Sequence, residues 1–532
     1  MTNAEKRYRF ISLLIVGVSF SVAVFAQGAG PYARGLGDGV EDALTGWTGT
    51  LSFAAPLAPT PPDAYPPLAG SYASTKQNPR VFVTQADISD MARRINSAGS
   101  FSAQIFAKLA DQVKAHLAAN VDWDAAYSGC DIDTYLHAFS YEPAAGYADQ
   151  MRSATQLSAA MNVKAGLSPP AGTAIVASRL ALYAALVKAG AKTPAGAPTA
   201  DQAAAVGKRI LLAWASRGFR DQKGNHLNRA EQFCDGQQQF IPLKQSAVGL
   251  QIARGVIYSV HAQDLLQSIE AVNAKEVTDL NAFHAAMFDL IREASNFAFT
   301  LPEVANRPDR TCERFSNHFG AHLMGLLSIA RLFDDGRKVD AVLYGNDHSI
   351  PVELFWTKYF NHAVYGEKDT PIACYKNPGP DSLASHPSFQ TPIVAPGEIE
   401  DRYRHANPAQ AFGYTLGVLA ELYNTGDLLK NAGFDPFGYR GVHRQSIEMA
   451  TDYYACYGKH VGFKNTVTAD NARACPDYQE YVGQVVNGLE TVIVMSAYHF
   501  PQDTAVTELE APAKAGAGAN LIDPIRFGRW RD

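Results

Sequence analysis

Leu323-Met324-Gly325-Leu326-Leu327-Ser328-Ile329-Ala330, with Gly336 after it, is the stretch from which the fold is read. Leu323, Leu326, Leu327 and Ala330 recur three and four positions apart, the spacing that lines one face of a helix, and the glycine beyond them is a stop. The same period returns in Val176, Leu180, Tyr183 and Val187 before Gly190, and in Phe412, Leu416, Leu419 and Tyr423 before Gly426. Thr84 and Asp87 make a capping-box pattern, with Asp in place of the usual Glu or Gln, ahead of Ile88, Met91, Ala92 and Ile95. Roughly twelve to fourteen such segments lie between residues 84 and 500, with few alternating β-branched runs, so the spacing predicts an all-α chain of antiparallel helix pairs.

Working outward, the 532 residues are 47% hydrophobic and 18% charged, which excludes a disordered or collagen-like polymer. Net charge is −6, from 46 Lys plus Arg against 52 Asp plus Glu. No global basic field exists to hold nucleic acid or an anionic membrane, so an anionic ligand must meet a local patch. Residues 1–26 read as a signal peptide: Lys6, Arg7 and Arg9 precede an apolar run that ends in Val24-Phe25-Ala26. A periplasmic or secreted protein is expected, with no membrane attachment once the signal is cleaved. Residues 27–78 form an extended leader rich in Pro, Gly and Ala, residues 79–510 one large α domain, and residues 511–532 a tail. Long loops at 219–242 and 336–400 are expected to rim a cleft. Six cysteines in an exported chain favour disulfides; Cys456 and Cys475 are the nearest pair, and six allow fifteen pairings. Nothing in the sequence fixes an oligomeric state.

Two stretches carry the chemistry. In Phe315-Ser316-Asn317-His318-Phe319-Gly320-Ala321-His322, Ser316 or Asn317 can cap the helix of the Leu323 stripe. His318 then sits in the first turn, where the positive end of the helix dipole favours its neutral, proton-accepting form. His322 lies one turn on, and Gly325 leaves space on that face for a ligand. The pair lacks the glutamate of HExxH and a third ligand, so no metal is called for. In Glu398-Ile399-Glu400-Asp401-Arg402-Tyr403-Arg404-His405-Ala406-Asn407-Pro408, Asn407-Pro408 marks a helix start. That leaves Arg402, Arg404 and His405 in the preceding loop, as a carboxylate-binding cluster or as a charge cluster paired with Glu398, Glu400 and Asp401.

Together the stretches suit β-elimination from a uronic-acid polysaccharide. The C5 proton is removable only if the neighbouring carboxylate is neutralised, so that charge spreads onto it as an enolate. Asn317 with an arginine can neutralise, His318 or a tyrosine can act as base, and a tyrosine can protonate the departing O4. No cofactor is demanded.

Pro79-Arg80-Val81-Phe82-Val83-Thr84, Ser316-Asn317-His318, and the run from Glu398 through Asp401-Arg402 and His405 to Leu419-Ala420-Glu421 resemble the alginate-lyase family of polysaccharide lyases, over about residues 79–500. The resemblance implies an (α/α) toroid or incomplete barrel of about six to seven helical hairpins, with long loops rimming a central cleft for an anionic uronic-acid polysaccharide such as glucuronan or alginate. It implies Asn317 as carboxylate neutraliser, His318 as base, and Arg402 or Arg404 with His405 at the uronate. Relatives place a catalytic tyrosine at or just after the Arg/His cluster, where this chain has Ala406 and Pro408. Tyr414, nine residues after His405, is preferred to Tyr403 because that separation is similar to the His and Tyr of chondroitin and hyaluronate lyases. Tyr141, with Tyr147, is expected as a sugar platform, and His322 as a further substrate contact. Two other readings stand: an (α/α) glycoside hydrolase using two of Asp131, Asp133, Glu398, Glu400 and Asp401, or a non-catalytic carbohydrate-binding protein.

Overall fold

The computed structural model describes residues 65–140, 172–221, 223–234, 245–300, 315–367, 369, 394–404 and 408–532. The chain is mostly helical, and its strands are one two-residue pair among the described residues. The first helix, α1 (Gln85–Ile95), begins where the capping box puts it: Thr84 Oγ accepts the Asp87 N–H at 3.2 Å and the Asp87 carboxylate takes the Thr84 N–H at 2.8 Å. Its buried face is Ile88, Met91, Ala92 and Ile95. There follow α2 (Phe101–Ala118), α3 (Thr173–Lys188), α4 (Ala200–Arg217), α5 (Gln245–Ser268), α6 (Ala274–Thr300), α7 (Asn317–Leu332), α8 (Gly336–Tyr344), α9 (Trp356–Ala363), α10 (Pro408–Asn431), α11 (Ile447–His460), α12 (Leu489–His499) and α13 (Glu510–Ala517).

The helices sort by how much of their circumference is apolar. Every residue of α7 is buried, as are Thr173 to Leu186 of α3, and a helix apolar all round belongs inside a fold. α1, α8 and α9 are amphipathic and bury one face. Inner helices pack on one another in sequence, α3 on α5, α5 on α7, α7 on α10 and α10 on α12, with α4, α6 and α11 returning along the outside. Close approaches set their direction: Gly249 and Gly325 face His322 and Ala253, Asn317 faces Gly417, Gly320 faces Glu421, and Gly488 faces Leu416. Further along α10 and α12 Tyr423 meets His499, so residue numbers rise together across each pair and α5, α7, α10 and α12 run parallel.

The last residues bend the row back to its start. Arg529 reaches Asp427 of α10 at 3.0 Å and donates to the carbonyl of Phe82, and the Trp530 indole donates to Ser102 of α2 at 2.9 Å. The result is the helical toroid expected from the sequence, left incomplete and closed by the C-terminal segment. Residues on both sides of the limits set at 79 and 510 pack on this one core: β1 (Ala69–Gly70) pairs antiparallel with β2 (Phe434–Asp435), just past the C-terminus of α10.

The stretch 336–400, read from sequence as a loop, contains α8 and α9. Both are short and amphipathic; Asp335 caps α8 by accepting the Lys338 N–H, and Gly345, at φ +67°, ends it. Cys130–Cys234 and Cys456–Cys475 are disulfide-bonded, while Cys312 and Cys374 lie outside the described residues. Among the described residues no helix is long and apolar enough to cross a membrane.

Candidate active site

Helix α7 starts at Asn317, but neither of the capping side chains offered by the sequence closes it: Ser316 holds the cap position without a side-chain bond. The cap comes from the other stretch. The Asn317 backbone N–H donates to Asp401 Oδ2 at 2.9 Å, so a fully buried carboxylate from 84 residues away satisfies an orphan donor at the positive end of the helix. The Tyr359 hydroxyl on α9 ties down the preceding turn by donating to the Ser316 carbonyl at 3.0 Å. The two chemistry-bearing stretches therefore meet at one point.

Helix α10 arrives at the same point. It begins at Pro408, as Asn407-Pro408 predicted, and a methyl group placed on Gly417 would stand 3.9 Å from Asn317 Cβ. One turn further in, a methyl on Gly320 would strike Glu421 Oε2 and lie 2.9 Å from the Tyr359 hydroxyl, so the helices approach closely because position 320 has no side chain. Tyr414, three residues before Gly417, is on the α10 face turned toward Asn317 and is half-buried. Asn317 and His318 keep only 7% and 8% of their surfaces accessible.

The remaining expected residues divide. Arg402 is 1% exposed; its guanidinium pairs with Glu398 and lies 5.2 Å from the centre of the Tyr481 ring. The charge-cluster reading holds for the Arg402–Glu398 pair, but in the interior and not at the surface: Glu398, Glu400 and Asp401 are all fully buried. Burial pushes the Glu398 carboxyl up, against the opposing pull of Arg402. His322 has no accessible surface; its ring meets the edge of Phe319, and the α5 backbone at Gly249 comes close enough that a methyl there would lie 2.7 Å from the imidazole. The space expected at Gly325 is filled by Ala253 and Ile291, at 3.0 and 3.2 Å from a methyl placed there. Arg404 closes the short helical turn Glu400–Arg404, its side chain outside what is described. His405, Tyr141 and Tyr147 lie outside the described residues. Trp123, Trp214, Trp356 and Tyr135 are core.

Sequence reasoning missed Tyr359 and Glu421 as members of this cluster. Tyr359 is a helix residue in a stretch read as loop, and Glu421 faces Gly320 only because two helices cross there. Among the described residues, no three His, Cys, Asp or Glu side chains converge as a metal would need.

No family model matches the chain, and no curated protein matches it. Among solved structures it is similar to an alginate lyase from Bacteroides ovatus, at 11% identity and a TM-score of 0.46, over 86% of this chain and 100% of that one.

Proposed function

We propose that the chain is a polysaccharide lyase that cleaves a uronic-acid polymer by β-elimination at the N-terminus of α7. The observation that carries the reading is the 2.9 Å bond from Asn317 to Asp401, which joins the amide–imidazole pair to the 398–408 segment and α10. In this reading the Asn317 amide, at the positive helix end, takes up charge from the uronate carboxylate as the enolate forms. His318 removes the C5 proton. Those electrons make the C4–C5 double bond as the C4–O4 bond breaks, and Tyr414 gives its phenolic proton to the leaving oxygen.

Arg402 takes a different place in this proposal from the one its sequence suggested. Paired with Glu398 in the interior, it holds the 398–404 turn so that Asp401 stays on α7, and it does not touch the polymer. Arg404 and His405 remain the uronate contacts in this reading, and export to the periplasm or outside the cell suits the disulfides. The hydrolase reading loses ground because its candidate carboxylates Asp131, Glu398, Glu400 and Asp401 are all buried, with Asp131 engaged by Thr134 at 2.8 Å.

The test is turnover on polyglucuronate, polymannuronate and polyguluronate, read as ultraviolet absorbance of unsaturated uronate. Asn317→Ala and His318→Ala are each expected to lower kcat by about 10²–10⁴ with the helical circular dichroism unchanged. Wild-type turnover in either variant removes that residue from the mechanism.

A further inference from the structure

At the far end of α7 and α10, roughly 24 Å along the helix from the Asn317–Asp401 contact, the chain builds a second concavity. It encloses about 490 Å³ between the strap that carries β1 and the C-terminal half of α8, a volume in the range of small-ligand sites. Its walls are aromatic: Tyr65, Tyr72, Tyr344 and Phe434.

The tyrosines are fixed. Tyr65 Oη is bonded to His362 Nε2 at 2.9 Å, Tyr72 donates to Asp334 at 2.6 Å, and Tyr344 Oη accepts the Leu68 N–H at 3.2 Å. These bonds hold the rings as rigid platforms, and Tyr344, whose oxygen only accepts, keeps its O–H free to donate. Three polar side chains of the lining, Ser71, Asp340 and Asn346, are exposed and have no hydrogen-bond or ion-pair partner among the described residues, and the last two carry the stronger acceptors. A carboxylate and an amide beside fixed aromatic rings are what a pyranose requires: acceptors for adjacent hydroxyls and a flat surface for its C–H face. Asp340 is also the single charged side chain of the lining. It accepts from hydroxyl groups and repels a carboxylate, so the site discriminates against the sugar acids proposed for the α7 end.

We propose that this pocket is a second saccharide site which holds a neutral pyranose unit, stacked on the tyrosines and hydrogen-bonded through two hydroxyls to Asp340 and Asn346. It would anchor the protein to neutral glycan while the other end works on an acidic one, and its chemistry does not depend on what the α7 end does.

Isothermal titration of the full-length protein with cellohexaose, mannohexaose and xylohexaose tests this, with a mannuronate hexamer as the acidic comparison. At least one neutral hexamer is expected to bind, and Asp340→Ala, Asp340→Asn and Asn346→Ala are each expected to weaken it tenfold or more at unchanged thermal unfolding. Turnover of uronate polymer should not change in these variants. The proposal is overturned if no neutral hexamer binds, if the acidic hexamer competes equally for the pocket, or if affinity survives all three substitutions. The titration reads out with or without lyase activity, so the two proposals fail separately.

Discussion

At the residue scale, the decisive side chains are those whose partners lie far away in sequence. Arg402 and Glu398 are four residues apart, a spacing visible in the sequence, but whether the pair faces water or the core depends on Tyr481 and Tyr453, contributed by later segments. Removing the arginine leaves a carboxylate buried without its counter-charge. Arg402→Ala is therefore expected to destabilise the fold by about 3–5 kcal/mol in urea unfolding. A stable Arg402→Ala variant with a raised KM would instead place the guanidinium on the substrate. Two histidines give a second prediction. Burial holds His261 and His284 down to about 3, with Ser178 and Ser259 as their hydroxyl partners. Protons therefore bind the unfolded chain first. Their stabilising contribution is whole above about pH 6.5 and is lost as pH falls toward 3, by about 1.4 kcal/mol per unit for each histidine. Asp264, pushed up to about 6 by burial, acts in the opposite sense, so the comparison must be with His284→Gln. That variant should lose stability less steeply between pH 6.5 and 4.5 than the parent; equal slopes would show that His284 does not titrate on unfolding.

At the element scale, the long helices were legible because burial on one or all faces imprints a period on the sequence. The Phe412 stripe and the Leu323 stripe are buried as read, and Pro408 begins its helix. The short helices α8 and α9 were not legible, since nine and eight residues between Gly and Pro punctuation carry too few turns for the period to stand out. Glycines misled in the same way. Gly325 was read as room for a ligand, but absent side chains inside a helical fold more often mark where backbones touch. This contrast is testable in α7 and α10. Gly320→Ala drives a methyl into Glu421 and Tyr359 and should cost about 1–3 kcal/mol, whereas Gly417→Ala meets only Asn317 Cβ at 3.9 Å and should be neutral or stabilising by up to about 1 kcal/mol. Thermal unfolding of both variants checks the order; equal losses would mean that the close approach of the helices does not depend on the missing side chain at 320.

At the scale of the whole molecule, the inner helices run parallel, and the C-terminal segment closes the row by locking Arg529 between Asp427 and Phe82. The juxtaposition of residues 317 and 401 belongs to this scale. Each stretch announced a helix start, yet their meeting, with one supplying the cap of the other, required a chain reversal of 84 residues that no local pattern encodes. The central claim is that this meeting point removes a proton and expels a sugar oxygen without adding water. Digestion of a uronate polymer in heavy-oxygen water, quenched by borohydride reduction before the new hemiacetal exchanges its oxygen and read by mass spectrometry, tests it most directly. The account predicts unsaturated fragments with no label at the new chain ends; one heavy oxygen per cleaved bond would mean hydrolysis and would contradict it.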